Sequence, residues 1–330
     1  MNPRQPLEDA SEEELLLAAQ VPENLAGARL DVAAAQLFDR YSRARLQTWI
    51  AAGALTHNGA VQTRARTPVA AGDALSLIAE AEVTHEVLPQ DIALDVLHAD
   101  KSIAIINKPA GLTVHPGAGQ RDGTLQNALL HRFPQTAKVP RAGIVHRLDK
   151  DTSGVLVVAL DLAAHAKLVT AISERSVRRE YDALVQGTLI AGSTIDAPIG
   201  RHPTERVKMA VIERGRDAVT HYRIAERFAH HTLLRVKLET GRTHQIRVHL
   251  AHVRHPIVGD SVYGAGGAKV RGSGMPAELR KVLMAFDRQA LHARELELEH
   301  PKSGKLMAFE APPPADLLDV LQALRQYDAA

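Results

Sequence analysis

A chain of 330 residues, 45% hydrophobic and 24% charged, is long enough for one large domain and a smaller one, each with its own core. Its net charge is only +2, so affinity for a polyanion would have to come from local clusters. Cysteine is absent, which excludes disulfides, thiolate catalysis and Cys-ligated metal sites, and no apolar run reaches the length of a membrane span.

In chain order, residues 1–20 are acidic and are expected to form a flexible or partly helical tail. They lack a basic segment followed by an apolar one, so a cytoplasmic location is expected. Residues 21–80 read as a small module. RLDVAAAQLF (29–38) and SRARLQTWIAAG (42–53) have helical spacing, and LTHNGAVQ (55–62) and DALSLI (73–78) read as short strands around an Asn-Gly turn. Residues 81–91, which include Pro89, lack clear periodicity and are assigned to a linker.

From 92 to 330 strands and helices alternate without a βαβ rhythm. ALDVLHAD (93–100) and SIAIINK (102–108) flank a turn. GVLVVAL (154–160) is a buried strand, and DLAAHAKLVTAISE (161–174) is a helix capped by Asp161. REYDALVQG (179–187), AVTHYRIAERF (218–228), HTLLRVKLE (231–239), ARELELEH (293–300) and KLMAFEA (305–311) read as strands with short turns between several of them. This predicts an α+β domain built on a mixed, mostly antiparallel sheet. GAGGAKVRGSG (264–274) reads as a mobile loop and PPPADLLDVLQALRQ (312–326) as a terminal helix.

The stretch GIVHRLDKDTSGVLVV (143–158) sets His146, Arg147, Asp149, Lys150 and Asp151 against a buried strand. Such charges are costly if desolvated without partners, so a cleft is the expected setting. His146, Asp149 and Ser153 could suggest a hydrolase triad, but the Gly-x-Ser-x-Gly elbow is missing. Thr152 and Ser153 are expected to cap the turn and fix Asp149. HPGAGQRDGT (115–124) lacks the Gly-Lys-Ser/Thr of a P-loop, so nucleotide binding is not expected. HLAHVRH (249–255) spaces three histidines by three, as metal ligands on a helix face could be. The run holds no carboxylate, Ile246, Leu250 and Val253 give an ordinary apolar stripe, and structural histidines are the better reading. Arg40, Arg43, Arg45, Arg64 and Arg66 have no acid between them, the pattern expected of phosphate contacts, although a solvated helix face would read the same way.

The run from Arg29 to Ile78 resembles an S4 RNA-binding module. INKPAGLTVHP (106–116), HRLDKDTSG (146–154), REYDALVQG (179–187) and ETGRTHQIRVH (239–249), in that order, resemble the RluA/RluD branch of RNA pseudouridine synthases over about residues 21 to 312. RHPT (201–204), AVTHYRI (218–224), HPIVGD (255–260) and DRQALHA (287–293) resemble the type that acts on large-subunit ribosomal RNA. The resemblance implies a mixed sheet with a central catalytic cleft. It makes Asp149 the essential carboxylate, Tyr181 the active-site aromatic and Arg247 the partner of the carboxylate. Arg147 would help displace the target nucleotide, with His146, Arg242, Arg43 and Arg45 as further RNA contacts. The implied reaction is an isomerisation needing no cofactor and no metal, on 23S ribosomal RNA or large-subunit particles, by a monomer without membrane contact. The alternatives are a transfer RNA or another ribosomal site, or an S4-type RNA-binding or assembly factor.

Overall fold

The computed structural model describes residues 14–39, 41–80, 87–117, 120–205, 208–264 and 275–329. Its contacts divide the chain into two compact units, residues 1–85 and 86–330.

In the first unit, β1 (Glu14–Gln20), α1 (Leu30–Leu37), α2 (Arg43–Ala51), β2 (Leu55–His57), β3 (Ala60–Val61) and β4 (Ala74–Glu80) place two helices with a four-stranded sheet ordered β1-β4-β2-β3. Leu30, Ala33 and Ala34 of α1 meet Leu46, Trp49 and Ile50 of α2 and Leu55, Leu75 and Leu77 of the sheet in one apolar cluster. The Asn-Gly turn forms as expected, with both Asn58 and Gly59 at positive φ. The tail reading needs correction: residues 14–20 pair antiparallel with β4, and Leu17 and Ala19 pack against the core of the unit. Residues 1–13 and the first part of the linker, 81–86, lie outside the described residues. The rest of the linker is docked: Asn127 Nδ2 donates to the Leu88 carbonyl at 2.8 Å, and Gln90 N donates to the Asn127 carbonyl at 3.0 Å.

The second unit carries β5 (Asp95–Ala99), β6 (Ile103–Lys108), α3 (Leu125–Arg132), β7 (Ser153–Ala159), α4 (Leu162–Ser173), β8 (Arg178–Gln186), β9 (Ser193–Asp196), β10 (Ile199–Arg201), β11 (Met209–Val211), β12 (Val219–Arg227), β13 (His231–Leu238), α5 (Gln245–His252), α6 (Ala277–Ala285), β14 (Leu291–Glu299), β15 (Leu306–Glu310) and α7 (Ala315–Tyr327). A sheet runs β5-β6-β7-β14-β8-β13-β12-β9, with β15 beside β14 and β10-β11 as a separate hairpin. β7 is buried along its whole length, as its unbroken apolar run requires, and α4 is capped by Asp161, whose Oδ1 accepts from Ala164 N at 2.7 Å.

All named pairings are antiparallel except β7 with β14. That parallel contact is short, at His292↔Ser153 and Ala293↔Gly154. Gly154 permits it: at φ +116° it carries no Cβ, and one would stand 2.1 Å from the Ala293 carbonyl oxygen. The seam lies four residues beyond Asp149 and fixes where the charged loop leaves the sheet. The expected loop at 264–274 falls outside the described residues from 265 onward.

Candidate active site

A cleft of about 440 Å³ opens where the 141–152 loop, β8 and the 238–247 segment converge. The loop before β7 enters it by an unusual turn: Arg141 and Ala142 have φ of 54° and 51°, followed by Gly143 at 82°. A Cβ on Gly143 would stand 1.8 Å from the Ala159 carbonyl oxygen, so only glycine fits against β7 there.

Asp149 projects from the next turn, in which Thr152 N donates to the Asp149 carbonyl at 3.1 Å. Buried cations fix this turn. Lys108, with no exposed surface, donates through Nζ to the carbonyls of Pro109, Leu112 and Lys150 at 2.7–2.9 Å. Burial lowers the Lys108 pKa to about 8, and Asp151 and Asp149 oppose that shift. Arg288 holds the Asp151 carbonyl at 3.2 Å while its other nitrogens grip Asp316.

The carboxylate of Asp149 accepts from Arg247 Nη1 at 3.1 Å. Arg247 is itself aimed by a second carboxylate: Asp260 takes Nε at 2.7 Å and Nη2 at 2.9 Å. Asp260 also accepts from Val262 N and Tyr263 N, and the Arg247 guanidinium lies 5.1 Å from the centre of the Tyr263 ring. Burial opposes ionisation of both partners of this pair. Mutual attraction nevertheless raises the pKa of Arg247 and holds Asp260 below the usual carboxylate range. His244 Nε2 lies 4.0 Å from the other Asp149 oxygen, and His244 Nδ1 is 2.7 Å from the Tyr263 hydroxyl.

Tyr181 stands on β8, 5% exposed, and lines the same cleft. Burial, then Asp149, raise its phenol against the opposing pull of Arg179, so it keeps its proton at neutral pH. The structure thus brings Asp149, Tyr181, Arg247, Arg147 and Arg242 to one cleft. Arg147 is exposed there, with no partner among the described residues, and Arg242 donates Nε to the Asp217 carbonyl at 2.9 Å.

One expectation needs correction, and two residues read as RNA contacts are also tied into the protein. His146 lines the cleft, but its Nε2 accepts from Val157 N at 3.1 Å. Burial, reinforced by Arg179, lowers its pKa to about 3, so it faces the cleft as a neutral ring tied to β7. Thr152 and Ser153 do not reach the Asp149 carboxylate: Thr152 Oγ1 accepts from Gln289 Nε2, and Ser153 Oγ meets His292 Nδ1, which tie the turn to β14 and the segment before it. Arg43, half-exposed, gives Nε and Nη2 to the fully buried Asp31, which also holds Arg29 and Gln47. The acid-free window from 40 to 66 missed Asp31 because it lies on the preceding helix.

Arg45 packs 4.7 Å over Trp49, while Arg64 and Arg66 stand exposed; Arg40 lies outside the described residues. On α5, His249 is structural, with its ring nitrogens meeting Thr220 Oγ1 and the Ala197 carbonyl. Among the described residues no group of acids and histidines is placed to hold a metal ion.

Residues 102–252 match the family profile described as RNA pseudouridylate synthase. A ribosomal large subunit pseudouridine synthase D of Pseudomonas aeruginosa is 56% identical over 94% of this chain and 96% of its own. The protein of that name from Escherichia coli is 50% identical over 94% of each chain. The chain belongs to the RNA pseudouridine synthases. Two solved human members, RNA pseudouridylate synthase domain containing 4 and 1, superpose with TM-scores of 0.54 and 0.52 at 26% and 27% identity. They cover 70% and 73% of this chain and 92% and 98% of their own. A pseudouridine synthase breaks the N1–C1′ bond of a uridine, turns the uracil and rejoins it through C5. The product is an isomer, and the balance of the reaction requires no redox partner and no nucleotide energy.

Proposed function

We propose that this synthase modifies 23S ribosomal RNA, with Asp149 as the essential carboxylate. The observation that carries the assignment is the Asp149–Arg247–Asp260 chain, which holds one carboxylate, 16% exposed, over an open cleft. Arg247 Nη1 donates to that carboxylate at 3.1 Å and fixes the oxygen that faces the cleft. Asp149 then serves C1′ as the glycosidic bond breaks, by adding to it or by stabilising its positive charge. Tyr181 stacks on the detached uracil and keeps it from escaping, and its hydroxyl is placed to relay the C5 proton. Since that bond and C5 are inaccessible in a stacked helix, the uridine is flipped out, and Arg147, exposed and without a partner among the described residues, fills the space it leaves.

The relatives named as acting on the large ribosomal subunit support that substrate. The first unit is an S4-like RNA-binding domain in this reading, and the enzyme acts as a cytoplasmic monomer. No helix among the described residues is long and apolar enough to cross a membrane. The test is a pseudouridine map of ribosomal and transfer RNA from a deletion strain carrying wild type or Asp149→Asn. Discrete 23S positions should vanish on deletion and return only with wild type. Loss confined to transfer RNA would move the substrate, and recovery with Asp149→Asn would overturn the carboxylate.

A further inference from the structure

Three arginines surround the start of β8, and two have carboxylates: Arg175 meets Glu239 at 2.9 Å and Arg178 meets Glu297 at 2.8 Å. Arg179 has none. It is 8% exposed and lines the cleft, its Nε is sealed without a partner, and among the described residues no group accepts from its guanidinium. Arginine keeps its charge in proteins, and an unpaired buried charge is strongly unfavourable. The acids lining the same cleft are already taken, Asp149 by Arg247 and Glu239 by Arg175 and His221. Room beside the group depends on Gly241, where a Cβ would stand 3.1 Å from Arg179 Nη1. Such a cation suits an anion that exists only while substrate is bound.

Its position on β8 indicates which anion. Arg179 and Tyr181 share the face turned to the cleft, while Glu180 and Asp182 take the other face and pair with Arg235. Arg141 and Arg147, exposed and without partners among the described residues, suit the phosphates of the RNA backbone. Arg179 lies deeper, beside the aromatic group on which the base rests in the reading above. When N1–C1′ breaks, the bonding pair stays on the uracil, spread over N1, O2 and O4, and C1′ becomes electron-poor. C5 then bonds to C1′ and loses its proton, and N1 takes one up, so atoms and charge balance.

We propose that Arg179 is a catalytic residue whose guanidinium binds the departing uracil and stabilises its negative charge. This rests on the cleft being the site of isomerisation. The test measures single-turnover loss of the target nucleoside at saturating RNA, with RNA affinity measured separately across salt concentrations. Arg179→Gln should slow the reaction on the order of 10²-fold, the loss typical of removing one preorganised donor to a developing anion. Arg179→Lys should recover part of that rate, and affinity and its salt slope should stay as in wild type.

With 5-fluorouridine at the target position, the electron-withdrawing fluorine makes the uracil a better anion. The penalty for Arg179→Gln should then shrink by about tenfold. An equal penalty on both RNAs would overturn the proposal. A loss confined to affinity, with a shallower salt slope, would also overturn it and put a phosphate at Arg179 instead. Full activity of Asp149→Asn in the same assay would overturn this proposal and the site assignment together, by moving the reaction out of the cleft.

Discussion

Asp260 shows how a residue outside the proposed chemistry can aim a group within it. Its two oxygens take Nε and Nη2 of Arg247, leaving Nη1 as the nitrogen that reaches Asp149. Asp260→Asn keeps the shape but removes one acceptor and the charge, leaving Arg247 free to swing fully onto Asp149 or out of the cleft. Breaking a buried pair of this kind costs roughly 3–5 kcal/mol when one partner is lost outright, and the isosteric amide should cost about 2. The expected outcome is a single-turnover rate lower on the order of 10²-fold at unchanged RNA affinity, with a lowered denaturation midpoint. A rate within twofold of wild type would show that Asp149 needs no aimed cation. Asp149, Tyr181 and Arg247 were legible in the sequence because each stands in a short motif. Asp260 and His244 also stand in quoted motifs and Tyr263 in none, but the contacts of all three were hidden, because nothing in local spacing says that a residue 13 positions on will grip an arginine. Arg179 was quoted within a motif, but its isolation is a fact of packing that only coordinates reveal.

At the scale of elements, the α1–α2 pair is held by one buried carboxylate under Arg29, Arg43 and Gln47. Burial alone would raise the pKa of Asp31, but the Gln47, Arg43 and Arg29 bonds override it and hold the group at about 2 instead of 3.8. A depressed carboxylate contributes stability that is present above the unfolded value and lost as pH falls through the folded one. The first unit should therefore weaken between pH 3.8 and about 2. Trp49 is the only tryptophan and lies in α2, so its fluorescence reports this unit. Asp31→Asn should flatten that part of the fluorescence-detected acid profile; an unchanged profile would assign the acid sensitivity to other groups. The left-handed turn at 141–143 makes a second case, since strain of this kind is kept where function requires it. Arg141→Gly should leave thermal stability about level, relief of strain offsetting the more flexible unfolded chain, while RNA binding weakens and its salt slope falls by about 1. Of the elements themselves, those with clean periodicity were legible: α1, α2, α4, β6, β7, β8, β12 and β13. The short α3, the β10–β11 hairpin and β1 were not, since their residues gain order from tertiary partners more than from their own pattern. The parallel β7–β14 seam was also hidden, because it joins segments about 140 residues apart.

For the whole molecule, a net charge of +2 means that RNA affinity is built from placed arginines and not from a global field. The arginines divide by what they do. Arg29, Arg43, Arg247 and Arg288 are tied to carboxylates and shape the protein, whereas Arg64, Arg66, Arg141 and Arg147 are exposed without a partner among the described residues. The cluster that looked uniform between residues 40 and 66 thus contains both kinds. Because Arg64 and Arg66 belong to the unit of residues 1–85 and the cleft belongs to the other, the two should contribute separably to binding and chemistry. The double variant Arg64→Ala/Arg66→Ala should weaken RNA binding and lower the salt slope by about 1.5 to 2, each arginine releasing about one counterion, with the Trp49 signal and melting unchanged. At saturating RNA its single-turnover rate should equal that of wild type, in contrast to Arg179→Gln, whose defect should persist at saturation. A rate defect in the double variant that saturation does not repair would mean that the first unit sets the pose of the target uridine as well as the affinity of the complex.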